Sequence, residues 1–301
     1  MDNLTFGPVV SRRFGVSLGV DLSPHAKQCN FDCLYCELSP AKPVDRAIDV
    51  PQANAYLEAI VCALEKYPQA DYITLTANGE PTLYPYLEEL VVGIKSLHVK
   101  QKLLILSNSA TLCNANIARI LSTIDVVKLS LDAADEKTFK RLDRPFKGLH
   151  VKDIIASIEA FSRMYCGTLV LEVLVVKGVN DTEAAFDCLN AAIGRIQPAR
   201  VDVGTIARPP AYQVEGVDVV TLHALAARIT GVPVSVAQNA SYAQKHDFDE
   251  VGLMALLDKR PQSMDDVKYS FSSRSQILLK GLVSRGKVRM QTVAGMDFYR
   301  V

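Results

Sequence analysis

Short apolar runs alternate with longer amphipathic segments from about residue 14 to residue 237. Most of the runs are almost uninterrupted by polar residues, which is typical of parallel strands covered on both faces. In the longer segments apolar residues recur at i, i+3, i+4 and i+7, which predicts helices that pack on a sheet. The predicted strands are Val16–Asp21, Tyr72–Ala77, Lys102–Ser107, Val126–Leu131, Leu169–Val176 and Val201–Thr205, with a shorter one at Val232–Val236. Two of the helical stripes are Leu57, Ile60, Val61, Leu64 and Leu87, Leu90, Val91, Ile94.

This alternation of strand and helix predicts an α/β fold with a parallel sheet. The six well-defined strand–helix units are fewer than the eight of a complete barrel, so we expect a partial (β/α)6 TIM-like barrel. A flat, doubly wound sheet is the alternative, because both architectures show the same pattern along the chain.

The pattern changes after residue 237. Residues 238–249 are polar and without a period, which indicates a linker. The chain beyond it predicts three helices and then a hairpin turned at Ala294-Gly295, an order typical of a winged helix-turn-helix. We therefore predict a barrel over 1–237, a linker over 238–250 and a small C-terminal winged-helix-like domain over 251–301. The predicted elements of that domain are Val251–Leu257, Met264–Lys268, Ser273–Ser284, Lys287–Val293 and Met296–Val301.

Composition limits the class of protein. Of the 301 residues 49% are hydrophobic, which is enough for a large core, and 33 basic residues balance 33 acidic ones. The balance predicts no general attraction to nucleic acid or to anionic membranes. The first residues do not resemble a signal peptide, and the apolar run Leu169–Val176 is too short to span a bilayer. We expect a cytoplasmic protein with reduced thiols and no membrane partner.

Three of the seven cysteines stand close together, directly after the first predicted strand. Barrels of this class place their chemistry on such loops. Thiolates favour iron–sulfur clusters and zinc, and a four-iron cluster normally takes four cysteines. Cys29, Cys33 and Cys36 would leave one metal corner open for a substrate. The alternatives are a zinc site completed by His25 and a redox dithiol of Cys33 and Cys36. The other four cysteines are interpreted as small core residues.

The spacing Cys-x3-Cys-x2-Cys, with Tyr35 before the last cysteine, resembles the signature of the radical S-adenosylmethionine (SAM) superfamily. The resemblance implies a [4Fe–4S] cluster held by the three cysteines, with SAM chelated at the open iron. It also implies reductive cleavage of SAM to a 5′-deoxyadenosyl radical that abstracts hydrogen from a substrate. A reducing partner such as flavodoxin or ferredoxin is then expected.

Polar residues after the next strands extend this resemblance. Asn78-Gly79-Glu80-Pro81-Thr82 resembles the Gly-Gly-Glu motif that binds the SAM amino group, with Asn78 in place of the first glycine. Glycine permits close approach and a carboxylate suits an ammonium, although an ordinary turn would have the same composition. In this family polar groups at the later strand ends contact the SAM ribose and carboxylate. The resemblance assigns SAM binding to Tyr35, Gly79, Glu80, Asn108, Ser130 and Asp132.

The opening segment 7–20 and the late segment 204–210 are similar to a branch related to the wyosine-tRNA synthesis enzymes, which includes bacterial members without an assigned reaction. The branch makes a tRNA base a candidate substrate. Wyosine enzymes hold a second cluster with cysteines before the first one, and no cysteine precedes Cys29 here. Arg12, Arg13 and Arg208 are suited to phosphate or carboxylate, or alternatively to salt bridges at the barrel rim.

Basic residues outnumber acidic ones near the third C-terminal helix and the hairpin. This supports a competing hypothesis, an iron–sulfur regulator that binds nucleic acid through the C-terminal domain with strong salt dependence and no SAM turnover. A docking domain that covers the substrate or contacts a partner is the other interpretation. The basic residues are Lys268, Arg274, Lys280, Arg285, Lys287, Arg289 and Arg300.

Overall fold

The computed structural model describes residues 4–11, 14–236, 245–293 and 296–301. An eight-stranded sheet forms the larger part, with its strands in consecutive order. Its strands are β1 Thr5–Ser11, β2 Gly15–Asp21, β3 Tyr72–Thr76, β4 Lys102–Ser107, β5 Val126–Ser130, β6 Thr168–Val175, β7 Arg200–Thr205 and β8 Val234–Val236. The helices are α1 Ala53–Lys66, α2 Leu87–Ser96, α3 Ala115–Leu121, α4 Glu136–Leu142, α5 Val151–Met164, α6 Glu183–Ile196 and α7 Val219–Ala226, with a 3₁₀ turn at Pro81–Leu83.

Strand order decides between the two candidate architectures. From β2 to β8 each strand pairs in parallel with the next one along the chain. A doubly wound sheet would reverse its direction of growth at a switch point, and this sheet does not. The fold is α/β with a mostly parallel sheet that grows in one direction, as a partial barrel requires. The structure adds β1, which pairs antiparallel with β2 and was not predicted.

The core lies between the sheet and its helices. In α2 the predicted stripe of Leu87, Leu90, Val91 and Ile94 is fully buried, which confirms that prediction. In α1 the buried face is rotated from the predicted one, with Val61 38% exposed. The centre of the buried face of α1 is formed by Ala53, Tyr56 and Ile60. Tyr56 can be buried there because its hydroxyl donates a 2.9 Å hydrogen bond to the Asp21 carbonyl oxygen.

The four scattered cysteines, predicted to be core residues, are exposed, so that prediction is wrong. Two of them lie on the outer faces of helices and two lie in connecting segments, where a small side chain has nothing to pack against. They are Cys62, Cys113, Cys166 and Cys188. In the described part of the chain, no helix has both the length and the apolar character needed to cross a membrane.

The C-terminal residues form a second hydrophobic cluster, centred on Phe248, Leu253, Phe271, Leu279 and Leu282. As predicted for the third helix, Arg274 and Lys280 face solvent. The elements are α8 Glu250–Lys259, β9 Gln262–Ser263, α9 Met264–Ser270, α10 Ser273–Ser284, β10 Arg289–Val293 and β11 Met296–Arg300. The strands pair in the order β10-β11-β9, and the predicted turn at Ala294-Gly295 lies outside the described residues.

Part of the predicted linker belongs to this second cluster. Residues 237–244 lie outside the described residues, but His246 and Phe248 are 6% and 3% exposed. The His246 backbone N–H donates to the Ser270 carbonyl, and its own carbonyl accepts from the Ser272 N–H. These two bonds fasten the segment to the loop after α9.

Buried His246 predicts an acid-sensitive C-terminal module. Burial lowers the pKa of His246 below its usual 6.5, and its Nε2 has no hydrogen-bond partner among the described residues. Below pH 6.5 the unfolded chain binds a proton that the folded one does not, so stability falls as pH falls. We expect His246→Gln to reduce the stability lost between pH 7.5 and 5.5 by about 1 kcal/mol, measured by urea unfolding. An equal pH dependence in both proteins would contradict this role.

Candidate functional site

The three clustered cysteines lie on the loop that follows β2. Backbone hydrogen bonds join this loop to the end of α4 and the residues just after it. The Asp32 N–H donates to the Asp143 carbonyl at 3.0 Å, and the Leu34 N–H donates to the Leu142 carbonyl at 2.9 Å. The Phe146 N–H donates to the Asn30 carbonyl at 2.7 Å. Backbone bonds on both sides of Cys33 therefore fix the course of the loop without using any cysteine side chain.

All three thiols are partly buried, and carboxylates lie near Cys29 and Cys33, whereas Lys27 lies near Cys36. Burial, together with the nearby Glu80 carboxylate, raises the pKa of Cys29 to about 12. Burial and the carboxylate of Asp143, which lies 3.4 Å from the Cys33 sulfur, raise the pKa of Cys33. Thiolates in such surroundings need a cationic ligand, so the site would release protons on binding a metal centre.

The donor set fits a cluster better than a single ion. Among the described residues no group of three His, Cys, Asp or Glu side chains converges on one ion position. A zinc ion requires its thiolates at about 2.3 Å from one centre, whereas a four-iron cluster takes each thiolate at a separate iron. His25, the candidate fourth zinc ligand, is exposed. Three half-buried thiols on one loop are the soft donors that an iron–sulfur cluster takes, so the residues present fit the group that the sequence implies.

Gly79 joins the loop after β3 to the cysteine loop. Its φ of +138° favours glycine, and it forms a parallel bridge with Gln28. A Cβ at this position would lie 1.9 Å from the Gln28 carbonyl oxygen. On either side, the Gln28 N–H donates to the Asn78 carbonyl at 2.8 Å and the Glu80 N–H donates to the Gln28 carbonyl at 3.0 Å. Backbone of the two loops is thus in direct contact just before Cys29.

Glu80 is 3% exposed and connects the ends of β3 and β4. Its Oε1 accepts hydrogen bonds from the Thr82 N–H, the Thr82 hydroxyl and the Ser107 hydroxyl. Its Oε2 accepts one, at 2.7 Å, from the Asn108 N–H. Burial raises the pKa of Glu80 while these bonds oppose the shift. Oε1 is saturated, and Oε2 keeps a lone pair for a further donor.

Asn108 contacts the cysteine loop through its side chain. Its Nδ2 lies 2.6 Å from the Asn30 Oδ1 and 3.5 Å from the Cys29 sulfur. An amide donor beside a sulfur ligand is the kind of contact that sets the potential of an iron–sulfur centre.

Tyr35 and Asp132, both predicted to bind SAM, contact each other. The Tyr35 hydroxyl donates to the Asp132 Oδ2 at 2.5 Å, and the Leu174 N–H donates to the Oδ1 at 2.7 Å. Burial raises the pKa of Asp132 to about 7, against these two bonds. Asn180, which is fully buried, donates to the Asp132 and Leu174 carbonyls and so fixes this arrangement.

One cavity beside the cysteine loop is lined by four of the predicted SAM-binding residues: Tyr35, Asn108, Ser130 and Asp132. Its apolar wall includes Phe31 and Phe139. Gly79 and Glu80 do not line the cavity and connect to it through the Asn108 backbone. The structure therefore brings the predicted positions to one edge of the sheet, at the carboxyl ends of β3, β4 and β5.

Several residues at this site were not recognised in the sequence. Asp143 follows a helical segment, where a single carboxylate is ordinary loop composition. Asn180 lies in 176–181, a segment that resembles the fifth-strand motif packed near adenine in the superfamily, but the sequence assigned no contact to Asn180 itself. Lys27 was also missed: it pairs with Asp32 at 2.7 Å and hydrogen-bonds the Cys36 thiol. Proximity to the motif was the one available signal, since Lys27 precedes Cys29 by two positions.

The segment after β7 covers the cysteine loop from the other side. The Ala211 N–H donates to the Cys36 carbonyl at 2.8 Å, and the Tyr212 hydroxyl donates to the Asp32 carboxylate. Arg208 forms an ion pair with Glu37 at 2.9 Å, which agrees with the salt-bridge interpretation. Arg12 and Arg13 lie outside the described residues.

Comparison with known families matches residues 23–187 to the radical SAM superfamily. The match includes more than half of the 301 residues, and the chain therefore belongs to the radical SAM superfamily. It is an enzyme of that superfamily whose specific reaction is unassigned. A Helicobacter pylori protein named UPF0026 protein is 39% identical, over 98% of this chain and 97% of that protein.

Two solved structures show the same fold. A radical SAM methyltransferase from Sphaerobacter thermophilus aligns with a TM-score of 0.58 at 15% identity, over 74% of this chain and 66% of that one. The structure of TYW1 with a lysine–pyruvate adduct aligns with a TM-score of 0.51 at 16% identity, over 71% and 72%. At such identities the likeness is one of fold alone.

Proposed function

We propose that this enzyme cleaves SAM reductively at a [4Fe–4S] cluster held by Cys29, Cys33 and Cys36. When bound, the cluster supplies the electron that converts SAM into methionine and a 5′-deoxyadenosyl radical for hydrogen abstraction. The observation that supports this most directly is the placement of the three half-buried thiols beside one cavity lined by the predicted SAM-binding residues. An electron donor of the flavodoxin or ferredoxin class completes the proposal.

The residues of the chain bind and orient SAM in this proposal. Glu80 offers its less occupied Oε2 toward an ammonium group, while Gly79 keeps the loop close to Cys29. Asn108 donates toward the Cys29 sulfur, and Ser130 provides a hydroxyl in the cavity. Asp132 holds Tyr35 across the cavity. Phe31 and Phe139 line its apolar side and keep water from the reacting atoms.

We propose a base of an RNA as the substrate. The support is the resemblance of segments 7–20 and 204–210 to the wyosine branch, together with a local excess of basic residues in the segment between α4 and α5, which contacts the cysteine loop. A comparison of modified nucleosides in cells with and without the gene tests this, and an unchanged nucleoside profile would count against an RNA substrate.

The C-terminal elements are assigned in this proposal to a winged-helix-like domain that docks on the barrel. Among the described residues, two ion pairs join it to the barrel, Lys259–Asp21 at 2.8 Å and Lys66–Asp249 at 2.7 Å. Arg285 and Lys287, predicted to contribute to a basic surface, pair with Glu250. These contacts favour docking over the competing nucleic-acid-binding regulator.

Cysteine variants provide the direct test. We expect protein purified without oxygen to contain iron and sulfide and to form 5′-deoxyadenosine from SAM when reduced with dithionite. Cys29→Ser, Cys33→Ser and Cys36→Ser should each reduce 5′-deoxyadenosine to background, because each of the three irons held by the protein needs its own thiolate. Iron, sulfide and 5′-deoxyadenosine are measured on the same samples.

Cys62→Ser and Cys188→Ser are the matched controls, since both thiols are exposed on helices outside the cysteine loop. They should retain wild-type iron content and turnover. Zinc in place of iron and sulfide, or equal turnover in the loop variants and the controls, would refute the proposed function.

A further inference from the structure

A second cavity lies on the outer side of the cysteine loop and is lined mainly by the segment that joins α4 to α5. Asp32, between Cys29 and Cys33, forms part of its wall. The basic side chains that line it are Lys140, Arg144, Lys147 and His150. The concave space between them is wide and largely open to solvent, with room for a group the size of a phosphate. The cavity is therefore next to the proposed cluster but distinct from the SAM cavity.

Positive charge is concentrated in this segment. Residues 137–150 contain five lysines and arginines and one acidic residue, Asp143, in a chain whose basic and acidic residues balance overall at 33 and 33. Asp143 is 3% exposed and faces Cys33, so it does not reach the outer cavity. Glu136 pairs with Lys140 and His150, and Asp32 pairs with Arg144, so these two carboxylates offset part of the positive charge of Lys140, Arg144 and Lys147. The net field in the cavity attracts anions.

Arg144 is held in place more firmly than a surface arginine usually is. Its backbone has a φ of +47°, a left-handed conformation uncommon for a residue with a side chain. Its guanidinium lies over the Tyr212 ring at 4.6 Å and within 3.6 Å of the Asp32 carboxylate. Asp32 is in turn bound by Lys27. With 43% of its side chain exposed, Arg144 presents a planar donor group to an anion at low cost in entropy.

We infer that this cavity binds a phosphate group of the substrate, and so holds the reacting base at the proposed cluster. That the phosphate belongs to the substrate rests on the proposed function. That the cavity binds a phosphate group does not. Arginine and lysine around one concave site suit phosphate oxygens, bound as a bidentate contact and as point charges. The phosphate belongs either to an RNA backbone or to a free nucleotide, and the test separates the two.

Charge reversal at the cavity tests the inference. Anaerobically reconstituted enzyme is titrated with a fluorescein-labelled single-stranded RNA oligonucleotide, followed by anisotropy, and separately with GTP, followed by calorimetry. Lys140→Glu with Lys147→Glu should weaken RNA binding at least tenfold. It should also reduce the slope of log K against log salt by about 1.4, for two lost phosphate contacts.

The matched control is Lys95→Glu with Lys100→Glu. Both lysines are exposed and precede β4, at the opposite edge of the sheet, and the change in net charge is identical. The control should bind within about twofold of wild type, since exposed charges farther away than a Debye length of about 10 Å are screened. If RNA binding depends on the cavity and GTP does not bind, the phosphate belongs to RNA; if GTP binding depends on the cavity too, a mononucleotide is recognised.

Equal weakening in the two double variants, or no binding of either probe by the wild-type enzyme, would overturn the inference. Formation of 5′-deoxyadenosine without RNA is measured in parallel. If the enzyme forms 5′-deoxyadenosine but Lys140→Glu with Lys147→Glu does not weaken binding, the phosphate site is refuted and the proposed function is not. If binding depends on the cavity lysines but the protein does not cleave SAM, the phosphate site stands and the proposed function is refuted.

Discussion

Gly79→Ala is expected to destabilise the enzyme by about 3–5 kcal/mol and to abolish formation of 5′-deoxyadenosine. The added Cβ would lie 1.9 Å from the Gln28 carbonyl oxygen, which belongs to the backbone and cannot rotate away. The two loops must separate, and the hydrogen bonds of Gln28 to Asn78 and Glu80 are lost. Since Gln28 directly precedes Cys29, we expect iron content to fall together with stability. Urea unfolding and iron analysis of one preparation measure both.

Gly231→Ala is the control for backbone strain alone. Gly231 has a φ of +78°, and a Cβ there would meet nothing within 4 Å. It precedes β8, away from the carboxyl edge where the site lies. We expect a loss of about 1–2 kcal/mol and unchanged turnover. If Gly79→Ala costs no more than Gly231→Ala and keeps its iron, the contact between the loops is not what holds the cysteine loop in place.

The parallel strands were predictable because apolar runs report burial on both faces. The edge strand β1 was not, since Gly7 and Pro8 interrupt Thr5–Ser11. Proline is tolerated at an edge or a bulge, and the β1–β2 register shifts between Phe6 and Val9, at this point. The consecutive strand order of a partial barrel was expected from the number of units, but the sequence left a doubly wound sheet as the alternative, because strand order depends on how successive units pack in space.

The wrong predictions of burial came from assuming that each residue type always has the same degree of exposure. Val61 was assigned to the buried stripe of α1 and is exposed, whereas Tyr56 is buried. Tyrosine has a large apolar body, and a partner for its hydroxyl, the Asp21 carbonyl, lies in another element. The exposed cysteines show that residue type alone does not determine burial. Cys62 and Cys188 lie on outward helix faces, and Cys113 and Cys166 lie in connecting segments.

The candidate site divides into local and long-range parts. The three cysteines lie within one short segment, and Gly79 and Glu80 lie within another. Each segment could be recognised in the sequence because its chemistry requires fixed residue types at a fixed spacing. Asp143 contacts Cys33 from 110 positions away, and Asn180 fixes Asp132 from 48 positions away. Asp143 lies in no recognisable motif, and the motif-like segment 176–181 does not reveal the contact of Asn180 with Asp132, because only the fold brings these residues together.

Lys259 joins the C-terminal module to the start of the cysteine loop. Its Nζ lies 2.8 Å from the Asp21 Oδ2 and donates to the Pro24 carbonyl at 3.1 Å. The two side chains are 8% and 2% exposed. The Asp21 Oδ1 accepts from the backbone N–H groups of Ser23 and Asn78, at the start of the two loops that meet at Gly79. Lys259 supplies both the counter-charge and the N–H donor for Oδ2, which has no other partner among the described residues.

Lys259→Met should cost about 3–5 kcal/mol, because it leaves the Asp21 carboxylate buried without its cation. We also expect iron content and turnover to fall, since both loops are anchored to that carboxylate. Lys66→Met removes the other ion pair between module and barrel, whose side chains are 49% and 53% exposed, and should cost less than about 1 kcal/mol. Urea unfolding of the two variants compares them directly.

Asp21→Asn separates the loss of the ion pair from simple damage to α8. An asparagine keeps the Oδ1 that accepts from Ser23 and Asn78 and removes the buried charge. Added to Lys259→Met, it should restore much of the lost stability and iron content. The double variant would then be more stable than Lys259→Met alone, a coupling that independent sites do not show. If the two effects simply add, the ion pair does not link the C-terminal module to the cysteine loop.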